Sequence, residues 1–185
     1  IRDIASDFEI GAHTLTHRSL PTISEEDAET EVVGSKTMLE QITGSAVNTF
    51  CYPRGAYTQL HMELVKAAGY RYARTVERYV FSVSDPYKAG TSLHIYNHRS
   101  GFNLWRTANF VRFRPIKAWR CLEWEALGRA MFDRVLAEGG IYHIWGHSWE
   151  IDRNNDWERL EDFFRCISTH PGVKYAANGE LAAHP

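Results

Sequence analysis

Residues 46–76 read AVNTFCYPRGAYTQLHMELVKAAGYRYARTV. The stretch opens with an apolar run, AVNTFCY, of the length of a buried strand. Pro53, Gly55 and Tyr57 follow as a turn. Leu60, Leu64 and Ala68 then recur at helical spacing, and Gly69 stands where a helix stops. YRYARTV reads as a second strand. Strand, turn, helix and strand in this order make a βαβ unit, whose two strands run parallel.

The same alternation extends outward in both directions. Residues 7–12 (DFEIGA) read as a short strand ending near Gly11. Ser24 and Asp27 open a helix that carries Ala28, Val32, Leu39 and Ile42 and stops at Gly44. On the other side, Trp124, Leu127, Met131 and Val135 line a helix over 123–138, closed by Gly139-Gly140. A strand is expected over 141–147 and a helix over 156–168, the latter with Trp157, Leu160, Phe164 and Ile167 on one face. Another strand is expected over 173–177, and Asn178 as the cap of a short last helix. Residues 77–121 carry two short β-like pieces, 91–96 and 108–113. The pattern predicts an α/β fold with a mostly parallel sheet or barrel, in one domain over residues 1–185.

The chain has 185 residues, of which 44% are hydrophobic and 24% charged, a globular composition that excludes a disordered or collagen-like chain. With 21 basic and 23 acidic residues the net charge is −2, so no basic excess points to nucleic acid. No apolar run approaches the ~18 residues of a membrane span. Cys51, Cys121 and Cys166 are odd in number and form no C-x-x-C, which argues against a disulfide framework or a thiolate zinc site. Nothing resembling a secretory signal is visible, which slightly favours a cytoplasmic setting. Nine histidines and six tryptophans stand out.

Three segments carry possible chemistry. His13-Thr14-Leu15-Thr16-His17 follows the first expected strand. Two histidines four apart can share a metal if the segment is helical or tightly coiled. The bland alternative is a pair of polar surface histidines. Phe50–Tyr57 runs from strand into turn, where Gly55 permits a bend that presents N–H groups near Arg54 to a developing oxyanion. The alternative is a plain βα turn. In Ile141–Asp152, residues 143, 145 and 147 share one strand face, with His147 at its carboxyl end. His143 reads as a hydrogen-bonded core histidine, and His147, between Trp145 and Trp149, as the better candidate for catalysis. His94, His98 and Arg99 are weaker candidates for substrate contacts.

Taken together and in order, the segments resemble the polysaccharide deacetylases, the NodB-homology or carbohydrate esterase family 4 group. His13, Thr14, Thr16 and His17 match the H-[S/T]-x-x-H metal motif, preceded by Glu9-Ile10-Gly11. Phe50 through Pro53, Gly55 and Tyr57 to Ala68-Gly69-Tyr70 is similar to the third motif, and Trp145–His147 to the last. The resemblance covers residues 5–77 and 139–180.

It implies a distorted (β/α) barrel and removal of acetyl groups from N-acetylated sugars. It also implies a divalent metal, usually zinc, on His13 and His17. Tyr52, Arg54 and Trp145 are implied at the substrate and oxyanion, and His147 as the acid. The implied partner is a carbohydrate substrate.

The chain departs from the family at three places. The paired aspartates that supply the base and the third metal ligand have no counterpart. Cys51 stands where the third motif usually has Arg. The Asp-Trp arrangement that tunes the acid histidine is missing, and Glu150 or Asp152 is the substitute within reach. With Ile1 at the start, the expectation is a barrel incomplete at its N-terminus and inactive alone, in which His13, His17 and His147 converge on one cleft. Two alternatives remain: a non-catalytic glycan-binding relative, and a metal hydrolase of a non-sugar amide.

Overall fold

The structure is a computed structural model that describes residues 1–96 and 123–182. The expected piece at 108–113, together with His98, Arg99 and Cys121, lies outside the described residues. The chain forms two compact units. One comprises Ile1–Glu77, Ser82–Gly90 and Tyr175–Pro185, the other Arg78–Phe81 and Thr91–Lys174.

In the first unit, helix α1 spans Glu25–Thr43. The Ser24 hydroxyl accepts the Asp27 N–H at 3.1 Å. Glu25, Glu26 and Asp27 place negative charge at the helix's positive end. Gly44, at φ 71°, closes the helix with its N–H on the Glu40 carbonyl. Ala28, Val32 and Leu39 turn inward.

Strand β1 (Thr49–Cys51) pairs in parallel with β2 (Tyr72–Arg74), in the register Thr49↔Tyr72, Phe50↔Ala73 and Cys51↔Arg74. Helix α2 (Gln59–Ala67) connects them, which confirms the βαβ reading. Its inward face is His61 and Val65, with Met62, Leu64 and Ala68 partly covered, whereas Leu60 is exposed. The expected stripe is thus rotated. His61 lies inward because its Nδ1 accepts the Thr58 N–H at 2.9 Å, a cap that fixes the helix start.

The strand expected over 7–12 shrinks to one parallel bridge, Ala12↔Phe50. Ala12 donates to the Thr49 carbonyl and accepts from the Cys51 N–H, each at 2.8 Å. Phe8, which gives the segment its strand-like alternation, is 67% exposed. No strand forms at 173–177 either. The chain instead reaches the short helix α6 (Asn178–Leu181). Asn178 is its first residue and not its cap, because its side chain takes the Arg74 Nε–H at 2.8 Å.

In the second unit, β3 (Leu93–His94) pairs in parallel with β4 (Ile144–Trp145). Helix α3 (Trp124–Glu138) packs Trp124, Leu127 and Met131 into a core with Leu93 and Phe163. Gly128 lets that helix approach: an added Cβ would meet Leu93 Cδ2 at 2.8 Å and Phe163 Cζ at 2.8 Å. The strand expected at 141–147 is only two residues long. A helix not read from the sequence, α4 (Ser148–Asn154), follows it and ends at Asn155 in the left-handed region. Helix α5 (Trp157–Ile167) buries Leu160, Phe163 and Ile167 and leaves Trp157 and Phe164 about half exposed, so its inward face differs from the one expected.

The fold is α/β, as expected. Among the described residues the strands form two two-stranded parallel pairs.

Candidate functional site

The H-T-L-T-H segment is a coil and not a helix. Thr14 and His17 both adopt φ 63°, the left-handed region that non-glycine residues rarely enter. Two such residues three apart fold the segment back on itself. The His13 and His17 rings therefore meet edge to face, with centroids 4.8 Å apart. The segment is thus tightly coiled, the condition under which two histidines four apart can share a metal.

Contacts from two other elements help hold it. His13 Nδ1 donates to the Cys51 carbonyl at 2.6 Å, so Nε2 is the unprotonated nitrogen of the neutral ring. A backbone carbonyl on the second nitrogen is the usual way a protein orients a metal-binding imidazole. Glu31, on α1 and buried, takes the Thr16 N–H on one oxygen at 2.8 Å and the Thr16 hydroxyl on the other at 2.5 Å. Burial works against its ionised form, but the hydrogen bonds of Thr16 and Leu15 and the nearby Arg18 outweigh it and hold the carboxyl below the usual range. Glu31 escapes a motif search because it lies fifteen residues from the loop on another element. Thr14 Oγ1 is buried with no hydrogen-bond partner among the described residues, a polar atom in the middle of the loop. One imidazole pinned at Nδ1, a second against its edge and an orphaned hydroxyl fit a divalent cation that prefers nitrogen ligands.

The Pro53–Gly55 turn leads out of β1. Arg54 (φ 58°, ψ 12°) and Gly55 (φ 68°) are both left-handed. A Cβ on Gly55 would collide with Val76, so only glycine fits. Tyr52 is a core residue. Its ring is fully buried, its hydroxyl donates to the Tyr87 carbonyl at 2.9 Å, and its N–H donates to the Arg74 carbonyl at 3.1 Å. Cys51, where the family motif has Arg, lies in register with Arg74 on β2. Burial pushes the Cys51 thiol up to about 11, which keeps it protonated and unreactive. A guanidinium thus stands beside this position, supplied by the neighbouring strand.

The second unit holds His147 and Trp145. His147 caps α4, and its Nδ1 donates to Glu150 Oε2 at 2.6 Å. His94 Nε2 contacts the same oxygen at 3.0 Å. Trp145 stacks on His94, with centroids 3.9 Å apart, and its Nε1 is buried without a hydrogen-bond partner among the described residues. Burial disfavours the charged form of His94 and lowers its pKa. Burial opposes ionisation of Glu150, but hydrogen bonds from His147 and His94 prevail and keep its carboxyl below the usual range. Asp152, the other residue considered as an orienter, accepts the Trp157 Nε1–H at 2.6 Å. The ligand atoms of His94, His147 and Glu150 lie within 4.8 Å of one another, so the trio also has the composition of a metal site. His143 is tied to Thr91 Oγ1 through Nδ1 at 2.9 Å, in keeping with a hydrogen-bonded structural histidine.

Residues 1–73 match the polysaccharide deacetylase family model. No curated protein matches the sequence. A Mycobacterium smegmatis protein, provisionally assigned as a polysaccharide deacetylase, matches 99% of this chain at 19% identity and a TM-score of 0.70, and 65% of its own length is covered. A Streptococcus pyogenes deacetylase in complex with acetate is 22% identical over 52% of this chain and 42% of its own, with a TM-score of 0.45. A Bacillus anthracis pseudoenzyme of carbohydrate esterase family 4 is 13% identical over 98% of this chain and 49% of its own, with a TM-score of 0.49. The chain therefore spans 65% of the first structure's length and under half of the other two. The resemblance read from the motifs holds for residues 1–73, and the fold is that of the M. smegmatis structure.

Proposed function

We propose, for a chain whose first 73 residues match the polysaccharide deacetylase family, that the protein is a metal-dependent hydrolase removing acetyl groups from N-acetylated sugars. The fold reading that accompanies this is the distorted (β/α) barrel. The observation that carries the proposal is the His13–His17 pair, coiled ring to ring, with His13 pinned through Nδ1 to the Cys51 carbonyl.

His13 and His17 would hold the metal, and zinc suits two neutral imidazoles. A bound divalent cation supplies Lewis acidity toward an acyl oxygen and acidifies a water. The backbone at Arg54 offers an N–H to the oxyanion that develops on that acyl oxygen. His147 carries the proton to the leaving amine, which requires it to be cationic before transfer. By the family resemblance, Trp145 is assigned to the acetyl methyl. Tyr52 supports this turn from the core, with its hydroxyl on the Tyr87 carbonyl and its N–H on the Arg74 carbonyl. No residue of the chain is assigned as base or third metal ligand.

The test is acetate release from N-acetylated oligosaccharides and from small cyclic amides by the protein. Release from the sugars, lost in His147→Ala with metal content retained and lost in His13→Ala together with the metal, supports the proposal. Release from cyclic amides alone, or sugar binding without release, overturns it.

A further inference from the structure

His94 and His147 meet on a single carboxylate oxygen. β3 and β4 pair His94 with Trp145 in register, and His147 follows Trp145 by two residues. Glu150 rises from the first turn of α4 and places Oε2 2.6 Å from His147 Nδ1 and 3.0 Å from His94 Nε2. An ionised carboxylate only accepts hydrogen bonds, so both contacting ring nitrogens carry hydrogen. That fixes the neutral tautomer of each ring: Nδ1–H for His147 and Nε2–H for His94.

The three side chains differ in exposure. His94 and Glu150 side chains are 13% and 17% exposed, and that of His147 is 45% exposed. His94 is immobilised by the stack on Trp145 and by Tyr96, whose ring centroid is 4.2 Å away. Tyr96 in turn accepts a hydrogen bond from Arg78 Nη1 at 2.7 Å. The covered, stacked His94 holds the carboxylate, and the carboxylate holds the exposed ring.

We infer that Glu150 and His94 are positioning residues that hold His147 as the Nδ1–H tautomer, with Nε2 as its proton-transferring nitrogen. The inference rests on the deacetylase reading only for the use made of that proton. The geometry stands apart from it. His94 lies fifty-three residues from His147 in sequence and belongs to none of the matched motifs. Its part is to keep Glu150 from swinging to solvent.

The test reads tautomers directly, by long-range proton–nitrogen correlation spectra of the metal-free chain at a pH where histidine is neutral. In the native chain His147 is expected as Nδ1–H. Glu150→Ala should release it to the mixture of an unconstrained ring. His94→Phe keeps the stack on Trp145 but deletes the N–H, and should lower the Nδ1–H fraction at least twofold. His94→Gln, which retains a donor, should restore it. An Nε2–H tautomer in the native chain overturns the inference without needing any variant. So does a His147 signal unchanged by Glu150→Ala or His94→Phe. If the tautomers behave as expected while the protein releases no acetate, the positioning holds and the deacetylase reading fails.

Discussion

Removing the Glu31 carboxylate should loosen the histidine loop in a graded way. Glu31 accepts two hydrogen bonds from Thr16, at 2.8 Å and 2.5 Å, from a buried position on α1. Glu31→Gln can keep both contacts. Its amide oxygen still accepts the Thr16 N–H, and the Thr16 hydroxyl can turn to accept from the amide NH₂. The loss is then the charge assistance, about 1 kcal/mol. Glu31→Ala deletes both bonds. Thr16 is exposed, so water recovers part of the loss and the net cost is about 2–3 kcal/mol. Thermal unfolding should fall by about 2–4 °C for Gln and about 5–10 °C for Ala.

Metal affinity is the more telling readout, because Thr14 and His17 hold left-handed backbone conformations that only the surrounding contacts maintain. Loss of a supporting residue one step from the ligands typically costs about 10–100-fold in affinity. Isothermal titration with zinc should show a loss of that order for Ala and a much smaller one for Gln. Equal losses in the two variants, or an Ala variant that is destabilised but binds zinc with native affinity, would refute the argument.

Two further expectations concern the scaffold. Gly55→Ala should cost about 2–3 kcal/mol by chemical denaturation, because the residue sits at φ 68° with Val76 in the way; a loss below 1 kcal/mol would mean that the turn relaxes freely. Acid should weaken the fold through Glu31 and Glu125. Burial opposes ionisation of Glu125, and Arg159 and Arg129 overcome it, so its folded carboxyl titrates below the usual value. A depressed carboxyl stabilises the fold fully above the unfolded value of about 4.3 and loses that contribution as pH falls through the folded one. Melting temperature against pH should show this limb below about pH 4.5, and Glu125→Gln should flatten part of it.

Much of this architecture is legible because its signals are local. Ser24, Asp27 and Gly44 mark both ends of α1 through contacts spanning at most four residues, and the βαβ unit at 46–76 follows from its apolar runs and turn residues. What sequence misplaces depends on partners far along the chain. DFEIGA alternates like a strand, yet only Ala12 finds a strand neighbour. On α5 the apolar residues are right, but Trp157 and Phe164 stay outside because Leu160, Phe163 and Ile167 face α3. The site divides in the same way. His13, His17 and His147 stand out by motif. Glu31 and His94 act on them through tertiary contacts that no spacing rule reports. Tyr52, inside a motif, is a core residue by virtue of a hydroxyl bond to Tyr87, thirty-five residues away.

Titration of the chain with cobalt reads most directly whether the His13–His17 loop holds a metal, as proposed. The visible spectrum reports nitrogen coordination, and the end point gives the stoichiometry. One equivalent bound by the native chain and by His147→Ala, and none by His13→Ala, is the predicted result. Binding that survives His13→Ala and disappears in His147→Ala would place the metal on His94, Glu150 and His147, and would contradict the account.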